Sequence, residues 1–214
     1  MSESAKGIVA MVAACVIWGL SPLFYKLLAE VPPLEVLSHR TLWALLIFGG
    51  VLAVQGRLAV LRRLLSVPRS FILVLVAGLL IAMNWFVFIL SIQIDRAVEA
   101  SLGYFIFPLV SVVLGRILFG ERLNRLRWNA VIIVGLAVAV LTYGLKVAPL
   151  IPLVLAVSFA FYGVIKKHLA AGPIVSVTGE VLLLAPLAIV WLLGVHFGGW
   201  QGLVGRNMAA FGQD

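Results

Sequence analysis

The residues of this sequence that could do chemistry are polar and ionisable side chains set inside long apolar runs. Trp18 and Lys26 lie in the first run, Glu35, His39 and Arg40 in the second, and Asn84-Trp85 in the third. Glu99, Ser101 and Tyr104 open the fourth, and Tyr162 and Glu180 belong to the last two. A charged group at the centre of a bilayer costs about 2.5–3.5 kcal/mol on insertion scales, so each one retained must be paired, reach the headgroups or serve a function. Arg40 stands seven residues past Pro33, which places it ~10 Å down a helix at 1.5 Å per residue. Glu35 and His39 are four apart and share a helical face, so each can satisfy the other.

Two readings of these groups stand side by side. In one, Arg40 and Glu99 form an ion pair that knits helices together while Lys26 snorkels to the headgroups. In the other, Lys26, Arg40, Asn84 and Glu99 form a polar vestibule in one half of the membrane. Pro22 and Pro108 remove amide donors within their segments, freeing carbonyls at membrane depth, which is tolerated where protein or a cavity lines them. Enzyme chemistry finds no footing. The intramembrane protease motifs are missing, Asp95 and Asp214 fall outside the apolar runs, and His39, His168 and His196 lie in different segments without metal-ligand spacing. The expectation is no catalytic residue, no cofactor and no metal.

The elements that must position these groups follow from composition. The chain has 214 residues, 64% hydrophobic and 11% charged, with a mean hydropathy of +1.19, which excludes an ordinary soluble domain, a disordered chain and, with only Cys15, a disulfide scaffold. Crossing ~30 Å of hydrocarbon takes roughly 17–25 residues. Seven stretches qualify: Gly7 to Ala29, Leu34 to Gln55, Ser70 to Ile92, Ala97 to Phe119, Arg127 to Gly144, Pro149 to Lys166 and Ile174 to His196. Connections of a few residues imply antiparallel neighbours in an all-α bundle with no separate soluble domain.

The net charge of +8 comes from basic residues in the gaps between runs, so membrane topology accounts for it and nucleic acid is excluded as a partner. With the N-terminus inside, Lys6, Arg57, Arg62, Arg63, Arg69, Arg116, Arg122, Arg125, Arg127, Lys166 and Lys167 fall on the inner side, and only Arg96, Lys146 and Arg206 on the outer. Eleven against three puts the N-terminus in the cytoplasm. The first run is longer than a signal-peptide core and is expected to be a retained helix. Small-xxx-small pairs at Gly78/Ala82, Gly135/Ala139 and Ala156/Ala160 mark expected close packing.

Trp18-Gly19 with Lys26 is matched loosely by Tyr162-Gly163 with Lys166 and Lys167, and Glu35 by Glu180. A repeat that restarts at the sixth helix restarts on the opposite side of the membrane. The expectation is therefore an inverted repeat, residues 7–144 as a five-helix unit and 149–214 as two helices of a second unit with an external tail. On this reading the chain is a fragment of a ten-helix protein.

Trp18-Gly19 with Pro22 and Lys26, Glu35 with Ser38-His39-Arg40, Asn84-Trp85, the run Glu99 to Phe105, Gly120-Glu121-Arg122-Leu123 and Phe159 to Gly163 together resemble the RarD-type permeases. These belong to the EamA group of the drug/metabolite transporter superfamily. The resemblance spans essentially the whole chain. It implies ten helices in two inverted repeats, a bacterial inner-membrane location and alternating-access export of small amphipathic metabolites or drugs such as chloramphenicol-like compounds. Its partners would be the substrate, a coupling proton or ion, and membrane lipid. A lipid flippase or a non-transporting membrane scaffold is the alternative. Glu121, among Arg116, Arg122, Arg125 and Arg127, is expected to fix a turn rather than bind substrate.

Overall fold

A backbone in hydrocarbon must satisfy its own hydrogen bonds, which for apolar segments of this length means helices. The computed structural model of the protein describes residues 3–120, 124–145, 150–198 and 200. Their helices are α1 (Glu3–Leu27), α2 (Pro33–Val54), α3 (Leu58–Ser66), α4 (Pro68–Gln93), α5 (Ala97–Phe119), α6 (Arg125–Leu145), α7 (Leu150–His168) and α8 (Pro173–Phe197). All but α3 and α6 are long and apolar enough to cross a membrane, and α6 carries a shorter apolar stretch, Trp128–Gly144. Glu121 and the segment beyond Trp200 lie outside the described residues. The end of the bundle where α1 begins is termed proximal, and the opposite end distal.

Prolines open several helices where a missing amide costs nothing: Pro33, Pro68 and Pro173 lie in the first turns of α2, α4 and α8. The α4–α5 turn passes through Asp95 at φ 63°, a left-handed position that aspartate tolerates better than most residues. Inside α1, Pro22 removes the bond to the Trp18 carbonyl, and the Ser21 hydroxyl donates to that carbonyl at 2.8 Å instead. Pro108 and Pro186 likewise sit within α5 and α8.

The nine-residue α3 is a surface helix where apolar run length alone leaves only a basic connection after the second span. Leu61, Leu64 and Leu65 face Leu52 and Val175, closing the proximal ends of α2 and α8. Arg62 and Arg63 share the same short helix, and such amphipathic segments lie in the membrane interface.

Helices adjacent in sequence are not the main packing partners, a correction to the expected neighbour order. Helix α2 lies along α8, α7 along α5 and α4, and α1 meets α4. Small residues set these choices. A β-carbon on Gly103 would stand 2.8 Å from Leu155 Cβ and 3.0 Å from the Pro152 carbonyl oxygen, so only glycine allows α5 to approach α7 this closely. Ala156 and Ala160 are buried on α7, and a β-carbon on Gly78 would stand 3.5 Å from the Glu180 carbonyl oxygen and from Leu184 Cδ1. A β-carbon on Gly135, by contrast, would meet nothing within 4 Å, so this glycine marks no close helix approach among the described residues.

Candidate functional site

Helices α2 and α8 run antiparallel: Leu52 near the end of α2 meets Val175 near the start of α8, while His196 at the end of α8 meets Glu35 and His39 at the start of α2. Between them, with α1, α4 and α7, lies a cavity of about 370 Å³ lined by Trp18, Arg40, Trp85, Tyr162 and Glu180 and walled by apolar side chains such as Leu37, Phe48, Ile81 and Phe159. These five polar or aromatic residues are candidates from the sequence that the fold gathers in one place.

Arg40 lies with its guanidinium 3.4 Å from the centroid of the Trp85 ring. A planar, weakly hydrated cation suits an aromatic face. Arg40 makes no ion pair with Glu99, so that expectation is corrected. Glu99 occupies the first turn of α5, where Arg96 Nε approaches its Oε1 at 3.7 Å, and its other oxygen is buried without a partner among the described residues.

Glu180 is almost fully buried and held on both oxygens. Lys166 Nζ donates to Oε1 at 2.7 Å and the Tyr162 hydroxyl donates to Oε2 at 3.1 Å. Lys166 also contacts the Ser176 hydroxyl. Tyr162 and Lys166 are four apart on α7, Ser176 and Glu180 four apart on α8, so each pair presents one face to the other. Ser176 is a site residue that the sequence reading does not single out, and Lys166 enters that reading only as the loose match to Lys26 and as an inner basic residue, although this double spacing is there to be read.

A file of rings connects the two charged groups. Trp85 meets Phe88 at 5.7 Å, Phe88 meets Tyr104 at 5.7 Å, Tyr104 meets Phe159 at 6.2 Å and Phe159 stacks on Tyr162 at 5.9 Å. Mostly edge-to-face contacts of this kind are the favoured aromatic geometry. Tyr104 thus belongs to the wall behind the cavity. Asn84 is buried and cross-links α4 to α7: its amide nitrogen donates to the Leu155 carbonyl at 2.9 Å and to the Ser158 hydroxyl at 2.8 Å.

Lys26 lies elsewhere. Its Nζ is 2.6 Å from Asp95 Oδ1 at the distal surface, with both side chains well exposed. The vestibule of Lys26, Arg40, Asn84 and Glu99 is therefore not assembled; each group turns to a different partner. His39 lines a second, distal cavity of about 620 Å³ with Tyr25, Glu35, Trp43 and the shared Arg40. Glu35 and His39 make no hydrogen bond to each other, contrary to expectation. Their ligand atoms lie within 4.8 Å of each other and of His196, a juxtaposition that corrects the reading of the histidines as scattered.

Residues 5–143 match the family model described as the EamA-like transporter family. The chain is 37% identical over 193 residues to the RarD protein of Salmonella typhimurium, covering 90% of this chain and 66% of that one. It is 43% identical over 209 residues to the RarD protein of Streptomyces exfoliatus, covering 98% and 64%. An uncharacterized transporter of Pseudomonas aeruginosa is 41% identical over 189 residues, covering 88% and 63%. The chain thus spans just under two thirds of the length of these relatives. No solved structure matches it. Membership of a transporter family sets aside the intramembrane-enzyme reading. With its helices, its central cavity and these relatives, the chain is a multi-pass membrane protein that belongs to the EamA-like transporter family.

Proposed function

We propose that the chain forms the substrate-handling part of a secondary transporter that moves small amphipathic metabolites or drugs, such as chloramphenicol-like compounds, across the bacterial inner membrane by alternating access. The observation that carries this reading is the cavity: apolar walls with one cation, Arg40, and one carboxylate, Glu180, contributed by antiparallel helices. Such a lining suits an amphipathic molecule with a polar substituent, since apolar area supplies binding and a few polar groups fix orientation. Residues 7–144 are the first unit of an inverted repeat and 149–214 part of the second, with α2 and α8 in corresponding positions. The proximal end, rich in basic residues, is cytoplasmic. Glu180 is the carboxylate on which a coupling proton would be carried.

The test is accumulation of a labelled chloramphenicol-type compound in cells expressing the chain, set against variants Trp18→Ala, Arg40→Ala and Glu180→Gln. Expression should change accumulation, and each variant should return it to the background level. Variants that are present in the membrane and leave accumulation as in the parent would overturn the assignment of the cavity.

A further inference from the structure

We propose that Glu35, His39 and His196 form a binding site for a divalent transition-metal ion of the zinc class at the distal ends of α2 and α8. One ligand atom from each of the three lies within 4.8 Å of the others. Glu35 and His39 sit one turn apart in the first two turns of α2, and His196 comes from the last turn of α8. No described residue offers any of the three side chains a hydrogen bond or an ion pair, so their donor atoms converge without a protein partner to explain the convergence. All three side chains are at least partly exposed, which leaves an ion a route of entry and leaves the rotamers free to close the remaining distance.

The donor chemistry selects the ion. Two imidazoles and one carboxylate form a set that zinc accepts in a four-coordinate site with the last position open to water or ligand. Imidazole also suits copper and nickel, whereas calcium and magnesium demand oxygen ligands in greater number. Position gives the site its consequence. Glu35 and His39 also line the distal cavity that shares Arg40 with the central one, so a bound ion would tie α2 to α8 at that end and hold the mouth of the distal cavity. The site is independent of the transport reading, because it needs only the helix pairing.

The experiment uses the chain purified in detergent through a histidine-free tag, with Cys15→Ser to remove the one thiol. Cobalt(II) is titrated as a spectroscopic probe of coordination geometry, and zinc is added in competition. One equivalent of cobalt should give the intense visible absorption of a four-coordinate ion, and zinc should abolish it while magnesium should not. His39→Ala and His196→Ala should each weaken cobalt affinity by at least about tenfold, as loss of a ligand or of its support does, and His168→Ala should leave it unchanged. Circular dichroism reports folding, and His39→Gln and His196→Gln replace any alanine variant that fails that check. Lack of saturable cobalt binding in the parent, or equal affinity in the folded His39 and His196 variants, would overturn the proposal.

Discussion

Arg40 and Glu180 each stand seven residues past the proline that opens their helix, Pro33 for α2 and Pro173 for α8. The match extends to hydroxyls: Ser38 and Thr178, five residues past the same prolines, both donate to the carbonyl four residues back at 2.7 Å. Counted this way, the position of Glu180 corresponds to Arg40 rather than to Glu35, and the two helices bring opposite charges to one cavity from opposite ends. A charge-reversed double variant, Arg40→Glu with Glu180→Arg, should not restore function, because each charge is matched to its own surroundings, Trp85 for one and Lys166 with Tyr162 for the other. Recovery of parental transport by that double variant would show that the two charges act only on each other.

The partner of Arg40 is Trp85, and a double-mutant cycle reads this directly. Arg40→Met with Trp85→Leu should show a coupling of about 0.5–2 kcal/mol in unfolding stability, the range for a cation over an indole. Arg40→Met with Glu99→Gln should be additive to within about 0.5 kcal/mol. Thermal or denaturant unfolding in detergent gives both numbers, and a reversed order of the two couplings would contradict the geometry.

Lys166→Met leaves the buried Glu180 carboxylate facing only a tyrosine hydroxyl. Removing one member of a buried pair costs about 3–5 kcal/mol, while replacing both with neutral groups of similar size is far milder. The expected order of melting temperature is therefore parent and Lys166→Met/Glu180→Gln close together, with Lys166→Met well below them. The exposed Lys26–Asp95 pair should behave differently, with Asp95→Asn costing at most about 1 kcal/mol.

Gly103→Ala should destabilise by about 1–3 kcal/mol, as overpacking of a tight contact does, because its new methyl meets the α7 backbone. Gly49→Ala has nothing within 4 Å to meet and should be neutral or slightly stabilising through helix propensity. Equal melting temperatures for the two variants would mean that α5 and α7 do not approach as described.

Reporter fusions fix the orientation of the bundle. A cytoplasm-active reporter joined at Lys6 and a periplasm-active one inserted at Asp95 should both report, since α1, α2 and α4 separate the two points by three crossings. Reporters at both points active on one side would remove the topology proposed from the basic residues.

Much of the fold is legible in the sequence because hydrophobic runs of membrane length can do little else in a bilayer. Helix α3 is not, since nine residues with two arginines read as a connection until their leucines are seen to share one face. The cavity residues Trp18, Arg40, Trp85, Tyr162 and Glu180 are legible as polar or aromatic groups at depth. Their partners are not, because helix rotation decides them: Arg40 turns to the α4 ring rather than to Glu99, and Lys26 turns out to Asp95. The Glu35, His39 and His196 cluster is invisible for a similar reason, as its residues come from the start of α2 and the end of α8, which only the antiparallel packing brings to one end of the pair.

Helix α1 is gripped at one end. Tyr25 is buried, Lys26 holds Asp95, and the Gln93 amide donates to the Leu28 and Val31 carbonyls at 2.9 Å each, whereas nearly every side chain from Lys6 to Leu20 is exposed. The arm from Pro22 back to Ser4 is about 27 Å long at 1.5 Å per residue, and its joint is the proline whose lost hydrogen bond Ser21 only patches. A swing of ~10° about that joint would move the far tip by ~5 Å over that length, a sideways travel comparable to the width of a small aromatic ring. Because Trp18 sits just past the joint and lines the central cavity, the same swing would shift one wall of that cavity by ~1 Å.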